Sequence, residues 1–209
     1  MDYLKLDDFR KFRFISQLKI SPSGKNTAVI VKIANEKNDY NSVIYADCGE
    51  GFKPVTRLNG SVSQFLWKDE ETILFAENRE GDAPKYKDQP FTTFYSINVN
   101  GGEAKKAFAV EMGVSNIEMV NMDTYIIHTL FDNNAPDFTG KTPDEINTAI
   151  DETNKEKDYQ VIDELPYWTD GGSFINKKRM RIYVYNETVG LKALTGPLSR
   201  AESFVLSDC

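Results

Sequence analysis

Val62-Ser63-Gln64-Phe65-Leu66-Trp67, then Lys68-Asp69-Glu70-Glu71, then Thr72-Ile73-Leu74-Phe75, reads as a strand, a tight reversal and a second strand. The first run is apolar-Ser-polar-apolar. The second opens on Thr and continues in β-branched and aromatic residues, which suit a pleated, half-buried surface. The pattern occurs twice more. Ile15-Ser16-Gln17-Leu18-Lys19-Ile20, the turn Ser21-Pro22-Ser23-Gly24-Lys25 and Thr27-Ala28-Val29-Ile30-Val31 precede it. Val114-Ser115-Asn116-Ile117-Glu118-Met119-Val120, the turn Asn121-Met122-Asp123 and Thr124-Tyr125-Ile126-Ile127 follow it. Ser16, Ser63 and Ser115 stand about 50 residues apart, near the roughly 40–50-residue period of a four-stranded propeller blade.

The rest of each period fits two more strands. In the first copy these are Ser42-Val43-Ile44-Tyr45-Ala46 and Pro54-Val55-Thr56-Arg57-Leu58. In the second they are residues 92–99 and 103–110, joined by Asn100-Gly101-Gly102, whose residues accept the positive φ of a tight hairpin. The third copy is interrupted over 132–176. There Thr142-Pro143-Asp144-Glu145 predicts a helix start, with Thr142 as cap, Pro143 first and Glu145 at the capping-box position. The helix is expected over 143 to about 155, with Ile146, Ala149 and Ile150 on one face. Strands resume at Arg181-Ile182-Tyr183-Val184-Tyr185 and, after Gly190, at Leu191-Lys192-Ala193-Leu194-Thr195. A fourth copy is expected from Glu202-Ser203-Phe204-Val205-Leu206-Ser207-Asp208.

The predicted fold is therefore all-β: a partial β-propeller of about three four-stranded antiparallel blades plus the first strand of a fourth. A helix-containing insertion occupies the third blade. Blade 1 is expected over about 13–59, blade 2 over 60–111 and blade 3 over 112–198, with insertion 132–176; a fourth starts at about 200–209. Closed propellers have about 4 to 8 blades, so a piece of a longer protein is expected.

Composition narrows the function classes. The chain has 209 residues, with 25 Lys and Arg against 32 Asp and Glu, a formal charge of −7. A field of that sign repels phosphate backbones and anionic lipid, so neither nucleic acid nor membrane is an expected partner. Met1-Asp2-Tyr3-Leu4-Lys5-Leu6-Asp7-Asp8 is too acidic for a secretory signal, and a cytoplasmic location is expected. Asn59-Gly60-Ser61 and Asn186-Glu187-Thr188 fit the glycosylation pattern but carry no meaning without that route. The two cysteines, Cys48 and Cys209, make no disulfide framework and are expected as free thiols. No metal spacing is evident and no cofactor is expected. With one histidine, every Ser/His/Asp or Cys/His scheme must use His128 or none. His128 lies inside a predicted strand with no nominated nucleophile or orienting acid, so a hydrogen-bonded strand histidine is expected.

Phe12-Arg13-Phe14-Ile15-Ser16 with Ser21-Pro22-Ser23-Gly24-Lys25 and the following apolar strand resembles the first blade of the prolyl oligopeptidase family of serine peptidases. The closest branch is the acylaminoacyl-peptidase-like and dipeptidyl-peptidase-like enzymes. Asp163-Glu164-Leu165-Pro166-Tyr167-Trp168 and Gly171-Gly172-Ser173-Phe174-Ile175-Asn176-Lys177-Lys178-Arg179 resemble a segment of that branch, as does the 191–195 strand. The resemblance implies an N-terminal propeller capping an α/β-hydrolase domain that holds the catalytic serine, aspartate and histidine. That domain is absent from this sequence. The nearest approach to a Gly-x-Ser-x-Gly nucleophile elbow is Gly171-Gly172-Ser173-Phe174-Ile175, which lacks the final glycine.

The resemblance also implies site residues. In dipeptidyl-peptidase members, acidic residues on a propeller insertion hold the substrate's α-amino group, a role open to Asp163 and Glu164. Adjacent side chains in an extended segment point to opposite faces, and a solvated acidic loop is the other reading. Tyr167 and Trp168 either wall a substrate pocket or anchor the long loop. Arg179, in the basic run Lys177-Lys178-Arg179 with Arg181, either meets a substrate carboxylate or the hydrolase domain, or is a solvated strand entry. The recurring serines are expected to serve the fold, and Trp67 to pack between blades. The functional expectation is a substrate-gating and substrate-binding propeller of a serine peptidase that cleaves short peptides, itself inactive and prone to self-association. The alternative is a non-enzymatic propeller scaffold for a protein or peptide partner.

Overall fold

The computed structural model describes residues 3, 5–37, 39–86, 89–135, 141–156, 158, 161–162, 164–165, 168–169 and 173–207. They form three four-stranded antiparallel sheets, a two-stranded ribbon and one α-helix. The chain divides into two compact units, Met1–Asp82 with Thr92–Ala109, and Ala83–Phe91 with Val110–Cys209.

In the first unit, β1 (Arg13–Ile20), β2 (Thr27–Ala34), β3 (Tyr40–Asp47) and β4 (Lys53–Pro54) pair in chain order. So do β5 (Gln64–Trp67), β6 (Thr72–Ala76), β7 (Thr92–Asn98) and β8 (Lys105–Val110). Alternate residues of a strand share a face, and β5, β6 and most of β7 are buried on both faces. Ala28, Ile30, Ile44 and Ala46 of the first sheet pack with Phe65, Trp67, Ile73, Phe75, Tyr95 and Ile97 of the second. Register stacks the second set in cross-strand rows, Phe65 opposite Phe75 opposite Tyr95 and Trp67 opposite Ile73 opposite Ile97. The Phe75 and Tyr95 rings stack at 5.9 Å. Truncating a buried aromatic in such a row costs about 3–5 kcal/mol.

Polar bonds tie the two sheets as well. Trp67 Nε1 donates to the Lys19 carbonyl at 3.1 Å, the inter-blade role expected of it. Register shifts in β1 between Ser16 and Lys19, where Gln17 sits in the left-handed region at φ 49°. This bulge frees the Gln17 amide to donate to the Ser63 carbonyl at 3.0 Å. The Ser-Pro-Ser-Gly turn has a physical purpose: it wraps the Glu70 carboxylate. Ser21 Oγ donates to it at 2.8 Å, and Ser23 Oγ and Ser23 N at 2.6 Å each. Asn26 Nδ2 donates to the Glu70 carbonyl at 2.8 Å. The Ser23 and Ser21 donors hold the Glu70 carboxyl below its usual range.

The second unit holds β9 (Val114–Asn121), β10 (Thr124–Asp132), α1 (Pro143–Lys155), the ribbon β11 (Trp168–Thr169) with β12 (Ser173–Phe174), then β13 (Lys178–Asn186) and β14 (Gly190–Ala193). Its sheet runs β9-β10-β13-β14, so the insertion departs and returns between two neighbouring strands. The helix occupies the span expected for it and carries the complete capping box. Glu145 N donates to Thr142 Oγ1, while Thr142 N donates to Glu145 Oε2 at 2.8 Å. Ile146 and Ile150 are buried. None of the described helices is long and apolar enough to cross a membrane.

Two strands differ from expectation. The fourth strand of blade 1 is Lys53–Pro54 rather than 54–58, because a side chain takes over its ladder. Val55 N still donates to the Ile44 carbonyl at 2.8 Å, but Ile44 N donates to Thr56 Oγ1, not to a backbone oxygen. Blade 3 ends its outer strand in the same way: Leu194 N donates to the Ile182 carbonyl, and Ile182 N to Thr195 Oγ1 at 3.2 Å. Residues 201–207, expected to open a fourth sheet, lie in no strand. Among the described residues no strand pairs with them. Ala201 N instead donates to the Met180 carbonyl at 2.8 Å.

Candidate functional site

The insertion begins and ends where Asp132 pairs with Lys178. Asparagines close this neck. Asn133 Nδ2 donates to the carbonyls of Lys177 at 2.7 Å and Pro197 at 2.8 Å. Asn134 Nδ2 donates to the Asn176 carbonyl at 2.7 Å, and buried Asn176 donates to the Val161 carbonyl at 2.8 Å. Lys177 adopts φ 56°, a turn that few residues with a side chain take. The turn aims its N–H at the Glu164 carboxylate.

Two of the expected site residues meet there. Arg179 grips Glu164 with both prongs, Nη2 to Oε2 at 2.6 Å and Nη1 to Oε1 at 3.1 Å. The fork matches carboxylate geometry. Arg179 and the Lys177 N–H hold the Glu164 carboxyl below its usual range, and Glu164 in turn raises Arg179. Glu164 is therefore ionised and already partnered by a cation of its own chain. Asp163 and Tyr167 lie outside the described residues. Trp168 stands in β11 opposite Phe174.

His128 sits in β10 and is buried. Its Nε2 lies 2.5 Å from the Ala201 carbonyl, and its ring meets Phe204 edge-on at 6.1 Å. A ring nitrogen fixed on a backbone carbonyl is a structural histidine, as expected. Cys48 borders a cavity of about 290 Å³ in the first unit, lined also by Glu50, Gly51, Lys53, Val99 and Asn100. Burial, then Asp47 and Glu71, push its thiol pKa up.

Sequence reading missed a polar cluster in the first unit. The Glu77 side chain is fully buried and receives Arg57 at 3.0 Å, Arg79 at 2.8 Å and Ser61 N at 2.8 Å. Gly60 is required beside it, because a Cβ there would stand 2.8 Å from Glu77 Oε1. The Arg79 guanidinium lies 4.0 Å above the Tyr95 ring. The Tyr95 hydroxyl donates to Asp82 at 2.7 Å, which also takes Lys106 at 2.8 Å and Arg79 N at 2.8 Å. The one signal in the sequence is an acid directly after the apolar run 72–76, where another core residue would be expected. Its partners come from distant loops, which no spacing rule connects. Among the described residues no group of three His, Cys, Asp or Glu is arranged to hold a metal ion.

No family model matches the chain, and no curated protein does. Solved structures do. Pyrococcus horikoshii acylaminoacyl peptidase in its orthorhombic crystal form aligns with a TM-score of 0.60 and 15% identity, over 88% of this chain and 26% of that one. The uncomplexed form of the same enzyme aligns at 0.55 and 15%, over 90% and 25%. The apo AtxE2 isopeptidase aligns at 0.50 and 13%, over 85% and 28%. The chain thus spans about a quarter of the length of the structures it resembles. At this identity the likeness speaks for the fold: the chain is a partial β-propeller, similar to part of an acylaminoacyl peptidase.

Proposed function

We propose that the chain is the substrate-gating and substrate-binding propeller portion of a serine peptidase that acts on short peptides, with no hydrolysis of its own. The likeness of its fold to part of an acylaminoacyl peptidase carries the reading. Its partners are a short peptide and an α/β-hydrolase domain that supplies the nucleophile. The missing elbow and the structural role of His128 agree with a chain that binds but does not cut. The insertion is the peptide-facing element. Asp163 and Glu164 have the role of receiving the peptide's ammonium end, and Tyr167 and Trp168 that of packing a substrate side chain.

The test uses the 209-residue protein, a fluorophosphonate probe and calorimetry with trialanine amide and its N-acetyl derivative. No labelling and no cleavage are expected. The free-amine peptide should bind about tenfold or more tightly than the acetylated one, the scale of one charge-assisted hydrogen bond. Specific labelling, or equal binding of both peptides, defeats the proposal.

A further inference from the structure

Among the described residues Arg181 lacks the carboxylate that Arg179 has. It lies two residues along β13, so its side chain emerges on the same face, and it is 7% exposed. Its guanidinium is sandwiched by rings, 4.7 Å from Phe131 and 5.1 Å from Tyr183. Nη2 donates to the Thr195 carbonyl at 2.6 Å, and the Tyr183 hydroxyl is hydrogen-bonded to the group. Nε–H is buried without an acceptor. Among the described residues no carboxylate pairs with it. A buried cation in this condition is costly, and ring faces recover part of the cost at most.

Other cations of the fold meet carboxylates and keep some access to water: Arg57 and Arg79 share Glu77, and Lys106 meets Asp82. Arg181 is buried, and among the described residues its Nε–H faces no acceptor. An anion would both satisfy that donor and cancel the charge. A carboxylate is planar and singly charged, so it can lie in the plane of a guanidinium flanked by two rings. The guanidinium fork is matched to that group.

We infer that Arg181, between Phe131 and Tyr183, is a receptor for a carboxylate from outside the chain, namely the C-terminal carboxylate of a peptide. The peptide source rests on the function proposed above; the carboxylate site does not. With the anion seated, Nε–H and an Nη proton each donate to one carboxylate oxygen. Thr195 keeps its existing bond and Tyr183 closes over the pair.

The test follows the Arg181 Nε–H resonance of the 209-residue protein by NMR, assigned with R181M. Acetyl-trialanine with a free C-terminus, its C-terminal amide and sodium acetate are titrated in turn. The acid peptide should shift the resonance saturably, and the amide should leave it in place. The acid peptide should bind R181M about tenfold or more weakly. Tyr183→Phe is a second variant, with the ring kept and the hydroxyl lost, and it should weaken binding less. A shift with acetate alone overturns the peptide assignment. No shift with either carboxylate, or an equal shift with the amide, overturns the site. Neither result bears on the α-amino test of the proposed function, which reads the other end of the peptide.

Discussion

Burial alone would raise the pKa of the Asp82 carboxyl. The Lys106 ammonium, the Arg79 N–H and the Tyr95 hydroxyl overcome that penalty and bring its pKa down to about 2 from 3.8. Tyr95 moves the other way, to about 12, through burial and its bond to Asp82. A carboxyl whose pKa falls on folding stabilises the fold above its unfolded value. That stability is lost as pH falls from about 4 towards 2. The shift corresponds to about 2 kcal/mol. Asp82→Asn should lower stability to urea by about that amount at pH 7 and by little near pH 2. If the variant keeps the native pH slope below 4, the network does not govern acid stability. Nothing in the sequence singles out Asp82, because its partners stand 13 and 24 residues away on other strands. Of the two candidates that do meet, Glu164 is legible through resemblance and Arg179 through its basic run, while the left-handed turn at Lys177 that joins them has no signal in the sequence.

Among the elements, the outer strands of blades 1 and 3 share a terminating device. Thr56 and Thr195 each place a hydroxyl where the ladder calls for a carbonyl. The strand then turns away while the preceding strand keeps its bonds. Thr56→Val retains the bulk and leaves the Ile44 N–H, in a fully buried residue, without an acceptor. The expected cost is about 1–3 kcal/mol, with faster hydrogen exchange at the Ile44 amide. Thr56→Ser should restore most of both, and an unchanged Ile44 exchange rate in the valine variant would refute the role. Strand pairs were legible because two-residue alternation and turn residues are local signals. The helix was legible for the same reason, since Thr142-Pro143-Asp144-Glu145 holds its whole start. The short β4 was not, because Val55-Thr56 reads equally well as strand. Only the bond from Ile44, twelve residues back, decides it.

For the molecule as a whole, the first strand matters most. β1 ends its sheet, and Phe14, Ile15, Leu18 and Ile20 along it are exposed, Ile15 to 70%. An unpaired edge bearing apolar side chains is a template for another strand. Sedimentation velocity should show a concentration-dependent rise above the 23.7 kDa monomer, and Ile15→Lys with Leu18→Lys should abolish it. A monomer at every concentration would overturn the expected self-association.

The turn that wraps Glu70 bears on how the chain is born. Ser21 and Ser23 find their carboxylate 49 and 47 residues later, Trp67 reaches back 48 to Lys19, and Gln17 reaches 46 ahead to Ser63. All these bonds span about one repeat. On a ribosome, the opening blade therefore waits with unfilled donors until the next has cleared the exit tunnel. In an arrest-peptide force profile, the first strong pull should come only after Glu70 has emerged. Glu70→Ala should weaken that pull, and a pull from the first blade alone would show that nascent blades settle one at a time.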